Sequence, residues 1–321
     1  MNILVTGGAG FIGHNIVHEL ESQGHACVIL DNQTTYGIVP QEHMTALHEE
    51  RRQFYHAPLH RMDLGSGDGS NCDWLMNRYK TDTVIHLASF PRQKAVSANP
   101  ALGAQIMMVG LMHLLEAAKA NKVKRFVYVS SSMVYGDFAT DIDEDHACNP
   151  IGQYGIMKLA GEWLVKDYAR RTGMEYVIIR PSAVYGPRDI EDRVVSKFLI
   201  AAMQGVPLRV KGEKEMLDFT YVDDAVSGIV GATLSDRSAN STYNITRSAS
   251  HTLHQAAILA IQTVGRAGHI SFEDADAEYP SRASLCIDRA RKDFGYEPKV
   301  DIEQGFKLYY EWLKTSIYNP S

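Results

Sequence analysis

Tyr154 and Lys158 are four residues apart in a segment whose pattern predicts a helix from about Gln153 to Arg171. This spacing places both side chains on one helix face, about one turn apart. A tyrosine with its usual pKa of about 10 is a weak base, and lowering that pKa by roughly three units requires about 4 kcal/mol of phenolate stabilisation. A neighbouring ammonium can contribute to it, so the pair suits removal of a proton from an alcohol.

Ser131 is the third residue of this group. It follows the apolar run from Phe126 to Val129, at the carboxyl end of a predicted strand, where open α/β sheets bind ligands. Its hydroxyl can hold the substrate oxygen while the tyrosine takes the proton. Each residue alone is common on a helix surface or at a strand end, and their order behind a nucleotide-binding loop is what points to chemistry.

That loop lies at the start of the chain. Ile3, Leu4 and Val5 predict a strand buried on both faces, and an apolar stripe at helical spacing follows and ends before Gly24. Between them stand the glycines of the turn, Gly7, Gly10 and Gly13. Gly7 permits the tight turn, Gly10 lets the backbone approach a pyrophosphate, and Gly13 lets the helix pack closely. The stretch predicts a dinucleotide site.

Asp31 ends the second apolar run, about 20 residues beyond the glycines, where a carboxylate can bind the adenine ribose hydroxyls. It would repel a 2′-phosphate, and residues 32–35 include no arginine to neutralise one. We therefore expect NAD rather than NADP.

Strands alternate with helices regularly as far as residue 180, which predicts an α/β fold of the Rossmann type, a doubly wound parallel sheet. The pattern then loosens into shorter elements, which predict a smaller C-terminal α/β domain that binds substrate. We expect a dinucleotide-binding domain over residues 1–180, with a segment near 218–246 returning to it, and a cap over 181–321.

Composition excludes several classes of function. The chain has 321 residues, 45% of them hydrophobic and 22% charged, and its net charge of −6 argues against a nucleic-acid partner. The sequence predicts no membrane span, no signal peptide, no disulfide framework and no zinc cluster. It predicts a cytoplasmic location. His56 and His60 have ligand spacing, but Pro58 interrupts the helix that would align them, so we expect no metal site.

Five motifs, in chain order, resemble those of the extended short-chain dehydrogenases/reductases. They are Thr6-Gly-Gly-Ala-Gly-Phe-Ile-Gly13, Ser130-Ser-Ser-Met-Val-Tyr-Gly136, Tyr154-Gly-Ile-Met-Lys158-Leu-Ala-Gly-Glu162, Arg180-Pro-Ser-Ala-Val-Tyr-Gly-Pro-Arg188 and Asp218-Phe-Thr-Tyr-Val-Asp-Asp224. Within that group the chain is most similar to the NAD-dependent nucleotide-sugar epimerases and dehydratases, which include UDP-glucose 4-epimerase. The match covers nearly the whole chain.

The resemblance implies a tightly held NAD that oxidises a sugar hydroxyl to a ketone and returns the hydride to its other face. It makes Tyr154 the base, Lys158 the ligand of the nicotinamide ribose that lowers the tyrosine pKa, and Ser131 the partner of the reacting hydroxyl. The positions that match cofactor contacts are Gly7, Gly10, Phe11, Ile12, Gly13, Asp31, Asn32, Asp63, Leu64, Leu87, Ala88, Tyr154, Lys158 and Pro181.

The resemblance also implies a homodimer, joined by a bundle of four helices that contain Ile106 and Tyr154. The helix after Pro100 is apolar on more than one face, which fits such an interface and equally fits burial within one chain.

Ser132 and Met133 stand where the 4,6-dehydratases have an acidic pair, so the resemblance disfavours dehydration. The decarboxylases usually have a glutamate at the position of Met133, so decarboxylation is disfavoured as well. An epimerase of a nucleotide sugar is the leading interpretation. A dehydrogenase or ketoreductase of a sugar nucleotide or smaller substrate is the alternative, and a non-catalytic NAD sensor is a third.

Several positions depart from the family pattern and concern the substrate. Met107 and Ala183 replace asparagines, Leu217 replaces an arginine that clamps the substrate pyrophosphate, and an ungapped comparison puts Asp276 at the second arginine of that clamp. We expect Ser132, Met133, Arg188, Lys197 and Arg209 to bind substrate. Other cations that could compensate are Lys211, Lys214, Arg247 and Arg282, and we expect one or two of the cap's basic residues to face the pocket.

Overall fold

The computed structural model describes residues 1–34, 36–90 and 92–319. Its strands are β1 Asn2–Thr6, β2 Ala26–Asp31, β3 Leu59–Arg61, β4 Thr83–His86, β5 Arg125–Val129, β6 Glu175–Pro181, β7 Val184–Tyr185, β8 Leu208–Lys211, β9 Met216–Asp218, β10 Thr220–Tyr221, β11 Ser241–Ile245, β12 Ser250–Thr252 and β13 Ile270–Glu273. Its α-helices are α1 Phe11–Ser22, α2 Gln41–Arg52, α3 Ser70–Tyr79, α4 Gln93–Ala98, α5 Pro100–Ala104, α6 Gly110–Ala120, α7 Gln153–Thr172, α8 Val194–Gln204, α9 Val222–Leu234, α10 Leu253–Val264, α11 Asp288–Phe294 and α12 Ile302–Leu313.

Seven parallel strands form the central sheet, in the order β11-β6-β5-β4-β1-β2-β3. Along β1, Ile3 and Val5 pack on one face with α1, α8 and α9, while Leu4 packs on the other with α3, α6 and α7. The strands are therefore buried on both faces, as their continuous apolar runs predicted. The Rossmann-type doubly wound fold is confirmed.

The chain order of the strands reverses direction at β1 and β4, which lie side by side in the centre of the sheet. Their register pairs Thr6 with His86, so the loops after both strands leave from the same edge. Ligands of such sheets bind in the crevice outside the carboxyl ends at this point.

The later part of the chain builds smaller pairs of strands. β8 pairs with β13 in parallel, β9 with β12 antiparallel, and β7 with β10 in parallel. Helices α8, α10 and α12 pack beside them. Strand β11 returns to the edge of the large sheet beside β6. The cap thus places β8, β9 and α8 opposite the carboxyl edge of the sheet.

The helix after Pro100 is interrupted by a π-helical turn at Gln105–Val109 before it continues as α6. By length and mean hydropathy (1.4) the run Pro100–Ala120 has the dimensions of a membrane span, which the sequence reading did not anticipate. Half of the most apolar part of this run is buried, and Leu111, Leu114 and Leu115 are inaccessible to solvent within the core. A core helix of a globular domain meets the same criteria.

Candidate active site

A cavity of about 850 Å³ opens between the carboxyl edge of the sheet and the cap. The ends of β1, β2, β4, β5 and β6 form one wall, and α8, β8 and β9 form the other. The residues expected at the site that line this cavity are Gly7, Gly10, Phe11, Ile12, Gly13, Asp31, Asn32, Asp63, Leu64, Leu87, Ala88, Ser131, Ser132, Met133, Tyr154, Lys158, Pro181, Lys197 and Arg209. The fold brings them together from across the chain.

The tight turn after β1 depends on glycine, because a side chain at either of two positions would collide with neighbouring backbone atoms. A Cβ on Gly7, whose φ is +71°, would lie 2.8 Å from the backbone nitrogen of Ala88, and one on Gly13 would lie 2.2 Å from the carbonyl oxygen of Gly7. The turn leads directly into α1, whose first residues, Phe11, Ile12 and Gly13, line the cavity at the positive end of the helix. This cradle fits the pyrophosphate of a dinucleotide.

Asp31 lies at the end of β2 beside that turn. Its carboxylate accepts hydrogen bonds from the N–H of Ala9 at 3.0 Å and from the N–H of Gln33 at 2.7 Å. Burial raises the pKa of Asp31, and these two bonds act against that rise. The carboxylate is thus fixed at the rim where the adenine ribose of NAD would lie. Thr35, part of the segment without arginine, lies outside the described residues.

Lys158 is anchored to the sheet. Its Nζ donates a hydrogen bond of 2.8 Å to the carbonyl oxygen of Val129 and lies 5.8 Å from the centre of the Tyr154 ring. Burial lowers the pKa of Lys158 to about 8, against the opposing effect of Glu162. Tyr154 and Lys158 share a helix face as their spacing indicated.

The electrostatics at Tyr154 differ from the expectation. Burial raises the pKa of Tyr154, and the effects that oppose this rise are the charge of Arg193 and a hydrogen bond with Ser131. Lys158, which the resemblance implies would lower this pKa, is not among these effects, and its ammonium donates to the Val129 carbonyl.

The serines after β5 have distinct environments. The hydroxyl of Ser131 accepts a hydrogen bond from the N–H of Met133 at 3.2 Å and starts a 3₁₀ turn, Ser132–Tyr135. The hydroxyl of Ser132 is buried without a partner and lines the cavity, as does that of Ser182 after β6. Buried hydroxyls without partners are uncommon in proteins and are suited to a bound ligand.

Arg188 corrects one of the substrate predictions, because it does not line the cavity. Its φ of 67° turns the side chain back onto α1, where Nε donates to Nε2 of His14 at 2.9 Å. Its guanidinium also lies 4.0 Å from the centre of the Phe54 ring. These contacts make Arg188 part of the packing between α1, α2 and the cap.

Other basic residues do reach the cavity from the cap, namely Lys197, Arg209, Lys211 and Arg282, which is more than the one or two expected. Arg282 pairs through its backbone with Met216, next to Leu217, and its buried Nε has no partner. Asp276 also lines the wall, with its Oδ2 3.7 Å from Nζ of Lys94. Arg282 thus brings a guanidinium to the same wall as Leu217 and Asp276.

Sequence reasoning missed a second group of cations in the cavity wall, Arg92 and Arg193. Nη1 of Arg92 donates to the backbone oxygen of Asp192 at 2.7 Å and to its carboxylate, while the buried Nε and Nη2 have no partner. Leaving a buried donor unsatisfied costs about 1–3 kcal/mol, and more when the group is charged. No sequence signal identified Arg92, since its position depends on a φ of 75° that is unusual outside glycine.

Of the two histidines with ligand spacing, His60 has a side-chain partner. His60 lies on β3 with Nε2 2.8 Å from the hydroxyl of Tyr79. Over residues 1–34, 36–90 and 92–319, no group of three or more histidine, cysteine, aspartate or glutamate side chains could hold a metal ion.

Two relatives align with nearly the whole of this chain. A Bacillus subtilis protein named as an uncharacterized UDP-glucose epimerase is 30% identical over 99% of this chain and 99% of its own. UDP-glucuronic acid decarboxylase 1 of Xenopus tropicalis is 31% identical over 98% of this chain and 72% of its own.

Solved structures give the same picture. UDP-glucuronic acid 4-epimerase of Bacillus cereus, in complex with UDP-glucuronic acid and NAD, superposes with a TM-score of 0.90 at 26% identity over 98% of this chain and 99% of its own. UDP-glucose 4-epimerase of Thermotoga maritima with UDP-glucose gives 0.88 at 27% identity over 98% of this chain and 99% of its own. The model of the NAD dependent epimerase/dehydratase family matches residues 3–246. The chain belongs to the NAD dependent epimerase/dehydratase family.

Proposed function

We propose that this protein is an NAD-dependent epimerase of a nucleotide-activated sugar. The observation that carries the proposal is the convergence of Ser131, Tyr154 and Lys158 on one cavity with the glycine cradle and Asp31. Met133 and Ser132, in the same wall, offer no carboxylate for a dehydration or decarboxylation step. What is left is a set of groups that can move one proton to and from a sugar hydroxyl.

The cofactor of the family is NAD, and the residues of this chain fit it. The turn from Gly7 to Gly13 would hold the pyrophosphate, Asp31 the adenine ribose and Lys158 the nicotinamide ribose. When bound, NAD supplies the acceptor and later the donor of the hydride. All other steps belong to side chains of the protein and to the sugar.

Tyr154 would take the proton of the reacting hydroxyl, which Ser131 holds by a hydrogen bond. The phenolate needed for this is favoured by the positive charge of Arg193 and by the hydrogen bond with Ser131, and exclusion of water by the bound sugar strengthens both effects. The resulting keto-sugar turns in the cavity and presents its other face. Tyr154 then returns the proton, and the sugar leaves with one centre inverted.

The substrate pyrophosphate would lie against the cap. Arg209, Lys211 and Arg282 line that wall, and the backbone of Arg282 pairs with Met216, the neighbour of Leu217, from which position an arginine is missing. Charge-assisted hydrogen bonds of this kind contribute about 1.5–3 kcal/mol each. The relatives with bound sugars carry uridine diphosphate, so we propose a UDP-sugar.

We further propose a homodimer formed through α6 and α7 and the π-helical turn before α6. Ile156 and Trp163, seven residues apart on one face of α7, are 52% and 65% exposed. Val109 in the π-helical turn and Met112 in α6 are 36% and 39% exposed. Large apolar side chains gathered on two adjacent helices suit a four-helix interface. The cytoplasmic location stays a prediction.

The test is product analysis by mass spectrometry and proton NMR after incubation of the purified protein with a panel of UDP-sugars and a trace of NAD. An epimerase gives a diastereomer of unchanged mass. Loss of carbon dioxide would assign a decarboxylase, and loss of water a dehydratase. A product lighter by two hydrogens, formed only with stoichiometric NAD, would assign a dehydrogenase. Absence of any product with bound NAD would favour a sensor.

A further inference from the structure

We propose that Arg92 selects an acidic sugar, one that carries a carboxylate beside the reacting carbon, and this inference rests on the function proposed above. Arg92 lies at the start of α4 in the cavity wall, with its side chain 13% exposed. Among the residues that the structure describes, the partners of its guanidinium are both on Asp192 and both bind Nη1. Nε and Nη2 are buried and unpartnered. A planar guanidinium with two adjacent free nitrogens is suited to a carboxylate that accepts from both.

The position of Arg92 in the cavity is fixed relative to the catalytic helix. The next residue, Gln93, is 3% exposed, and its Oε1 accepts a hydrogen bond of 3.1 Å from the N–H of Tyr154. Gly152, just before α7, makes room for it, since a Cβ there would lie 2.2 Å from Nε2 of Gln93. Arg92 is therefore held beside the tyrosine end of the cavity, where the sugar must react.

The charges around Arg92 leave room for an anion. Three cations, Arg92, Arg193 and Lys197, surround two carboxylates, Asp189 and Asp192. Asp192 is shared by Arg92 and Lys197, with Nζ of the lysine at 2.5 Å, and Asp189 lies 4.0 Å from Nε of Arg193. The group has an excess of positive charge, which a sugar carboxylate would neutralise.

The backbone at Arg92 supports a specific role for this side chain. A φ of 75° is unfavourable for any residue with a Cβ, and glycine would adopt it freely. This position nevertheless carries an arginine, a residue with a long, charged side chain. The substitution Arg92→Gly removes the guanidinium and relieves the backbone, so that variant is expected to fold.

The experiment measures, by calorimetry with NAD present, the affinity of the full-length protein for UDP-glucuronic acid, UDP-glucose and UDP. In Arg92→Gly we expect binding of UDP-glucuronic acid to weaken by about 30-fold, and binding of UDP-glucose and UDP to change by less than about threefold. Arg92→Lys, which keeps the charge without the fork, is expected to recover part of the loss. Lys124→Gln, which removes an exposed surface cation, is the matched control and is expected to behave as wild type.

An equal loss for all the ligands would overturn the inference and assign Arg92 to the phosphates or to packing, and unchanged affinities would overturn it as well. In both of those cases the proposed function stands, because the wild type binds UDP-sugars. A wild type that binds neither UDP-sugar would instead overturn the proposed function and this inference with it.

Discussion

Glu162 and Arg180 form a buried ion pair that joins the catalytic helix α7 to strand β6, with Nη2 of the arginine 2.7 Å from Oε2 of the glutamate. Neither side chain is more than 4% exposed. The same carboxylate accepts a hydrogen bond of 2.6 Å from the hydroxyl of Ser130. One buried group thus holds the helix of Tyr154 and Lys158 against the strand end that carries Ser131.

Replacing this carboxylate by Glu162→Gln leaves the Arg180 guanidinium buried without its counter-charge. Removing one partner of a buried pair costs about 3–5 kcal/mol, so we expect the free energy of unfolding to fall by that amount. Urea denaturation followed by circular dichroism measures it. Asp167→Asn, which removes an exposed pair on the same helix, is the control and should change stability little. Equal stabilities of the two variants would contradict the structural role of Glu162.

Tyr154→Phe removes the proposed proton acceptor and leaves the ring. General base catalysis contributes about 10²- to 10⁴-fold, so kcat is expected to fall by at least that range while NAD affinity is retained. Turnover assays and NAD titration by fluorescence measure the two. Tyr168→Phe, in the same helix and outside the cavity lining, should keep wild-type kcat. Substantial turnover by the Tyr154 variant would refute the mechanism.

Gly13→Ala tests the cradle. Its Cβ would meet backbone atoms at 2.2 Å and 2.7 Å, which forces the turn to shift away from the geometry needed for the pyrophosphate. We expect NAD binding to weaken by at least about tenfold. Gly24→Ala places a Cβ where nothing lies within 4 Å, at a φ of +80°. That control is expected to lose about 1 kcal/mol of stability from strain and to bind NAD normally.

Arg282→Gln removes the guanidinium proposed to contact the substrate pyrophosphate. The loss of one charge-assisted interaction corresponds to an increase in KM of about 10- to 100-fold with a UDP-sugar. Arg188→Gln removes another cation of the same half, which packs on α1 outside the cavity, and should leave KM unchanged. Equal KM values for the two variants would exclude Arg282 from the phosphate site.

His86 makes stability depend on pH. Burial, with the charge of Lys158 as a second cause, lowers the pKa of His86 to about 3, against about 6.5 in an unfolded chain. The unfolded state therefore binds the proton first, so stability is full above pH 6.5 and is lost as pH falls towards 3. Between pH 7 and pH 5 this group accounts for a loss of about 2 kcal/mol. His86→Asn should show a smaller fall over that interval in urea titrations, and an identical fall would exclude His86 as a source.

Much of the fold could be read from local pattern. The helix predicted from about Gln153 to Arg171 begins at Gln153 and ends one residue beyond Arg171. The glycine turn, Asp31 and the pair Tyr154 and Lys158 were identifiable because their geometry depends on short, regular spacings.

The parts that could not be read depend on backbone conformations without a local sequence signal. Arg188 and Arg92 both have positive φ, which directs one out of the cavity and the other into it. Arg282 reaches the cavity through a tertiary backbone pairing with Met216, which an ungapped comparison of sequences does not represent. These long-range placements decide which cations meet the substrate.

The central claim is that the hydrogen taken from the sugar is the one returned to it. It is tested most directly by the mass of the epimer formed in D₂O with a trace of NAD, after its exchangeable protons are restored in water. The account predicts an epimer with the mass of the substrate, because the carbon-bound hydrogen never mixes with solvent. An epimer heavier by one deuterium would mean that the carbon exchanges a proton with water, and would contradict the proposed mechanism.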